Sequence, residues 1–203
     1  MQPTLAEPSP VADRRPQPGQ GAIRRLPETL INQIAAGEVI ERPAAAVKEL
    51  VENAIDAGAS RIDISLRDGG IALIVIADDG RGMTRDELGL AVERHATSKL
   101  PDGDLGAIGT LGFRGEALPS IGAVSRLSIA SRARGSSETW RLEVEGGRLG
   151  APVPAAGPEG TQVTVRDLFF ATPCWVEFLK EHCTALSHAV EQVERLAMAH
   201  PGI

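Results

Sequence analysis

A chain of 203 residues with 42% hydrophobic and 24% charged residues is long enough to bury a proper core and has the balance of a globular protein. Its formal net charge of −6 excludes a global basic field for holding nucleic acid, and no apolar run approaches the length of a membrane span. Its 2 Cys, Cys174 and Cys183, have neither metal-ligand spacing nor the pattern of a disulfide framework, and with only 3% aromatics the core must be aliphatic.

Residues 1–22 are rich in Pro, Gly and Gln without periodicity and read as a disordered extension; no apolar secretion signal stands there. Leu26 to Ala36 reads as a first helix, with Pro27 at its start and Gly37 as its stop. The next helix begins at Pro43, tolerated at a first helical position, and ends before Gly58, suited to a C-terminal cap. Val47, Leu50, Val51, Ala54 and Ile55 fall on one buried face, and Glu49, Asn53 and Asp56 fall together on the other. A solvated polar face is the plain reading of those three. Asn, however, is a poor choice for an exposed helix interior. A carboxylate followed one turn later by a carboxamide suits a small site, the carboxylate orienting a water and the amide oxygen meeting a hard cation.

Arg61 to Arg67 alternates strictly and predicts a half-buried strand, and Asp68-Gly69-Gly70 is a turn. Ile71 to Ala77 is an almost unbroken apolar run, expected to be a central strand. It stops at Asp78-Asp79-Gly80-Arg81-Gly82, an acid at a strand exit followed by two glycines that allow close backbone approach to a ligand. The acid can accept a hydrogen bond from an amino group such as that of adenine. Thr84 and Glu87 form a capping box for a helix running to about His95, which is expected to cap or pack rather than catalyse. Ala96 to Gly115 is glycine-rich and aperiodic, long for a structureless loop. Its end, Gly112-Phe113-Arg114-Gly115, enters a short helix from Glu116 to Ile121, an arrangement that suits phosphate, although no Walker motif occurs anywhere. Strands are expected over Val124 to Arg134, Glu138 to Glu145 and Thr161 to Asp167, and helices over Trp175 to His182 and Thr184 to Ala199. Helices and meandering strands in this order predict an α+β fold, a two-layer sandwich of a mostly antiparallel mixed sheet with helices on one face.

Four separated segments thus surround one hypothetical nucleotide: Glu49 with Asn53, Asp78 to Gly82, Gly112 to Gly115, and Gly160-Thr161. Three stretches are more specific still. They are Asn32-Gln33-Ile34-Ala35-Ala36-Gly37-Glu38-Val39, Arg94-His95-Ala96-Thr97-Ser98-Lys99, and Gly112-Phe113-Arg114-Gly115-Glu116-Ala117-Leu118. With Lys48-Glu49-Leu50-Val51-Glu52-Asn53, they resemble the MutL family of DNA mismatch repair proteins, within the larger ATPase family that includes DNA gyrase B, Hsp90 and histidine kinases. The resemblance runs from about Ile23 to Phe170 and more weakly to the end.

The resemblance implies a Bergerat-type ATP-binding fold over 23–203, without the family's second domain or its C-terminal dimerisation region. It implies a slow, Mg²⁺-dependent ATPase in which Glu49 activates water and Asn53 ligates the metal. Asp78 would accept from the adenine amino group with support from Thr161, and Ala57, Gly82 and Met83 would line the nucleotide site. Ala96 to Gly115 would be a lid, with Thr97, Ser98, Lys99, Gly112, Phe113, Arg114 and Gly115 near the phosphates. The expected partners are mismatched DNA, the mismatch-recognition protein MutS and a second copy of the chain, with no membrane, in the bacterial cytoplasm at the nucleoid. The competing readings are another member of the same ATPase family, such as the ATPase part of a type II topoisomerase, and a nucleotide-gated scaffold with negligible turnover. The chain departs from the family at Asp79, where Asn is usual, at Ala171, and over Cys174-Trp175-Val176-Glu177, where basic residues are usual. Asp79 is expected to add negative charge near the site.

Overall fold

The computed structural model describes residues 23–96, 115–173, 175 and 182–203. The expected N-terminal extension, the helix from Trp175 to His182, and the site residues Thr97, Ser98, Lys99, Gly112, Phe113 and Arg114 lie wholly or mostly outside the described residues. The elements in order are α1 (Glu28–Val39), α2 (Pro43–Asp56), β1 (Ile62–Arg67), β2 (Leu73–Asp78), α3 (Arg85–Leu90), α4 (Ala117–Val124), β3 (Arg126–Arg132), β4 (Thr139–Glu145), β5 (Arg148–Leu149), β6 (Val153–Ala155), β7 (Gly160–Arg166) and α5 (His182–Ala199).

The strands form one sheet in the order β1-β2-β7-β3-β4-β5, with β6 also pairing β4, and every pairing is antiparallel. The two-layer α+β architecture expected from the sequence is therefore present. Register explains both the core and the site. Leu66, Ile74, Val165, Leu127 and Val144 form one cross-strand row on the helix-covered face, and Ile64, Ile76, Val163, Ile129 and Leu142 form the next. Ile74, Ile76, Ile129 and Val165 are sealed from solvent. The third row, Ile62, Asp78, Thr161, Ser131 and Trp140, places three polar side chains side by side where the apolar face ends. Side-chain alternation with period two puts them on the same face as the core, at its margin.

α2 lies across this sheet. Val47, Leu50, Val51 and Ala54 are buried as the helical spacing requires, whereas Ile55 is only half-buried. Glu52 is buried too, held by Lys48 one turn earlier at 2.9 Å. Burial pulls the Lys48 ammonium down, but the Glu52 hydrogen bond and the Glu49 charge outweigh it and hold it above the ordinary lysine value. The aliphatic core is completed by Ile121 and Val124 of α4, Ala189 of α5, and Phe169, with Trp175 edge-on to the Phe169 ring at 5.9 Å.

Two sequence expectations need correction. α1 does not stop at Gly37 but continues to Val39. The Gly37 Cα lies against the Trp175 ring, where a Cβ would fall 2.2 Å from it, so this glycine makes room for an indole instead of ending a helix. Trp175, one of the departures from the family pattern, is thus a packing residue. The helix begun by the Thr84 capping box does form, with both reciprocal bonds present, but ends at Leu90 rather than near His95. His95 has φ 64°, is mostly exposed, and stands 3.7 Å from Glu116, so it neither caps a helix nor packs in the core.

Candidate functional site

The polar row at the sheet margin and the polar face of α2 open onto a single cleft of about 1030 Å³. Of the site residues expected from the sequence, every one within the described residues lines it: Glu49, Asn53, Ala57, Asp78, Gly82, Met83, Gly115 and Thr161. The three polar residues of α2 come together because Glu49, Asn53 and Asp56, four and three positions apart, fall on one side of the helix, the side that borders the cleft shared with Asp78 and Thr161. Glu49 stays partly exposed, with the Lys48 ammonium 3.5 Å away.

Asp78 is the most perturbed group in the cleft. Burial pushes its carboxyl up to about 6, opposed by the N–H groups of Gly80 and Thr161 and reinforced by the Asp79 charge. The Gly80 N–H donates to Asp78 Oδ1 at 2.9 Å. A raised carboxyl pKa means that the folded chain holds this proton more tightly than the unfolded one. Its contribution to stability is therefore complete below the ordinary Asp value and is lost as pH rises through about 6. At neutral pH the cleft carries a buried, under-solvated charge, which is a reason for it to attract a hydrogen-bond donor.

Asp79 follows Asp78 in the motif but is held by different partners. Its carboxylate turns away from the cleft and accepts from the Ser60 hydroxyl at 2.6 Å and from the N–H groups of Ser60 and Arg61 at 2.7 and 2.9 Å. These bonds, the Ser60 hydroxyl first, hold it down at about 2. Its charge adds only a minor share to the rise at Asp78. The expected negative charge near the site is thus present, but the carboxylate itself is held in a turn-capping role before β1.

Gly82, which lines the cleft, also makes a close backbone contact of its own. It has φ 64°, and a Cβ there would fall 2.0 Å from the Arg132 carbonyl oxygen. The missing side chain lets the loop lie against the end of β3, and the cleft wall follows from that contact. At the other margin, Gly115 lies so close to Ala96 that a Cβ would stand 2.4 Å from the Ala96 carbonyl oxygen, and both residues line the cleft.

Ser131 escaped the sequence reading. It is 1% exposed on β3, and its hydroxyl accepts from the Met83 N–H at 2.8 Å, donates to the Gly160 carbonyl at 3.1 Å and stands 2.9 Å from the Thr161 hydroxyl. It ties the glycine loop after β2 to the start of β7. Only the cross-strand pairing of Ser131 with Thr161 brings these together, and nothing local marks it.

An acid at a strand exit, a Glu/Asn face on the facing helix and a cleft between them define a class. The chain belongs to the family of histidine kinase-, DNA gyrase B- and HSP90-like ATPases, whose profile matches residues 40–149. Within it, the similarity is to DNA mismatch repair protein MutL, as the sequence motifs implied. The chain is 66% identical over 182 residues to MutL of Paramagnetospirillum magneticum, covering 90% of this chain and 30% of that protein. It is 66% identical over 181 residues to MutL of Rhodospirillum rubrum, covering 89% and 29%. The chain thus spans less than a third of the length of these curated relatives. Among solved structures, the Aquifex aeolicus MutL ATPase domain complexed with ADP matches with a TM-score of 0.67 at 32% identity, over 81% of this chain and 58% of that one. The N-terminal domain of a DNA repair protein matches with a TM-score of 0.72 at 30% identity, over 85% and 50%.

Proposed function

We propose that this domain binds Mg²⁺–ATP in the cleft and hydrolyses it slowly, serving DNA mismatch repair as a nucleotide-driven switch. The observation that carries the reading is the convergence of Glu49, Asn53, Asp78 and Thr161, from two layers of the fold, on one cleft large enough for a nucleoside triphosphate. Asp78 accepts from the adenine amino group. Glu49, on the polar face of α2, holds and deprotonates the attacking water.

The donor set suits a magnesium ion. Among the described residues no group of three His, Cys, Asp or Glu is placed to enclose a metal. A cation beside the Asn53 amide would therefore draw its remaining ligands from phosphate and water, as Mg²⁺ prefers. When bound, the ion would neutralise charge on the phosphates.

The segment between Ala96 and Gly115 acts as the lid; Ala96 and Gly115, the described residues that flank it, meet at the cleft margin. Closure creates a surface for a second copy of the chain, and hydrolysis resets it. Mismatched DNA and the recognition protein MutS act on the longer protein, in the bacterial cytoplasm at the nucleoid. Among the described residues no helix is long and apolar enough to cross a membrane.

Titration with a Mg²⁺-bound non-hydrolysable ATP analogue, with GTP as control, tests the reading. Saturable binding of the ATP analogue in preference to GTP is the expected result, and equal or absent binding overturns it. Amide hydrogen exchange on the same complex should show protection gained over residues 97–114; unchanged protection rejects the lid. Affinity should also depend on pH. As pH falls through about 6, protonation of Asp78 removes the carboxylate that the adenine amino group needs. Calorimetry between about pH 5 and pH 8 should find weaker binding on the acid side.

A further inference from the structure

The buried hydroxyl of Ser131 permits a proton inventory. It has one hydrogen and two acceptor lone pairs. One lone pair takes the Met83 N–H at 2.8 Å, and the hydrogen goes to the Gly160 carbonyl at 3.1 Å, an oxygen that can only accept. The contact with Thr161 at 2.9 Å is then satisfied in one direction only, with the Thr161 hydroxyl donating into the second lone pair of Ser131. The reverse assignment would leave Ser131 and the Gly160 carbonyl facing each other with lone pairs and no hydrogen. Thr161 lines the cleft; Ser131 does not.

We propose that Ser131 is a positioning residue that sets the purine preference of the cleft, by absorbing the Thr161 hydroxyl proton and so presenting Thr161 Oγ1 as an acceptor beside the Asp78 carboxylate. The inference rests on the nucleotide reading above. Two neighbouring acceptors suit an exocyclic amino group, as at adenine C6. A carbonyl oxygen, as at guanine C6, meets lone pairs on both. A threonine hydroxyl with a free proton would instead rotate to donate to that carbonyl, and the rejection of guanine would weaken. The preference is thus held by a residue that touches neither base.

The test uses the 203-residue chain, with ATP and GTP displacing a fluorescent ATP analogue in the presence of Mg²⁺. Ser131→Ala should lower the ATP-over-GTP affinity ratio about tenfold, the value of one hydrogen bond gained or lost. In a Thr161→Val background, which has no hydroxyl to orient, adding Ser131→Ala should leave the ratio unchanged. If Ser131→Ala does not fold, Ser131→Cys, similar in volume but a weak acceptor, should lower the ratio in the same direction. Equal weakening of both nucleotides in Ser131→Ala, with the ratio intact, would mean that Ser131 only holds the strands together and overturns the proposal. A ratio that still falls in the Thr161→Val background overturns it as well. Failure of the wild-type chain to bind ATP would instead overturn the nucleotide reading, and this inference with it.

Discussion

Glu49→Ala is expected to bind the Mg²⁺–ATP analogue nearly as the wild type does, while hydrolysis falls by roughly 10²- to 10⁴-fold, the usual contribution of a general base. The reason lies in how α2 divides its polar face. Asn53 and Glu49 line the same cleft one turn apart, but the amide is proposed to meet the metal and the carboxylate only the water. Glu49 is partly exposed and its nearest cation is Lys48 at 3.5 Å, so its removal leaves no buried partner stranded and the fold should survive. Asn53→Ala alongside should lose binding itself. Turnover is best measured in a chain of the length of the curated relatives, which are about three times as long. Hydrolysis at the wild-type rate in that longer Glu49→Ala chain would mean that another group is the base. Loss of binding would mean that the roles of Glu49 and Asn53 are exchanged.

The second large effect is at Asp78. Asp78→Asn is expected to weaken adenine nucleotide binding by about 10- to 150-fold, because the amide can present NH₂ where the ligand also presents NH₂, and a hydrogen bond to a charged partner is lost. The unliganded fold should tolerate the change. A carboxyl pushed up to about 6 by burial is a charge that the cleft holds at a cost, and Asn removes it. Thermal unfolding at neutral pH should therefore show the variant at least as stable as wild type, and stability should vary less with pH around 6. Calorimetry that finds equal ATP affinity in the two proteins would sink the assignment of Asp78 to the base.

The two effects separate cleanly because the groups sit on different layers: Glu49 on the helix, Asp78 on the sheet. They are 29 positions apart in the chain, with the end of α2 and the β1–β2 hairpin between them, yet neither defines a site without the other.

What the sequence determined by itself is local and periodic. The span of α2, its buried face and the alignment of Glu49 with Asn53 follow from helical spacing, because side-chain direction within one element depends only on residue number. The alternation of β1, the apolar run of β2 and the Thr84 capping box were legible for the same reason. Glu49 and Asp78 were candidates from chemistry alone, a carboxylate beside a carboxamide and an acid at a strand exit. What only the tertiary structure decided involves partners distant in sequence. Gly37 could not be told from a helix stop without the Trp175 ring that rests on it. The direction of Asp79 depends on the Ser60 and Arg61 groups that reach it from 18 or 19 residues away. The short strands β5 and β6 exist only because β4 offers an edge to pair with. Ser131 had no mark of its own, being one serine in an alternating strand. Its role comes from sheet register, which sets it beside Thr161, 30 residues away, and beneath Met83, 48 residues away. Register is a property of paired strands, and no single strand carries it.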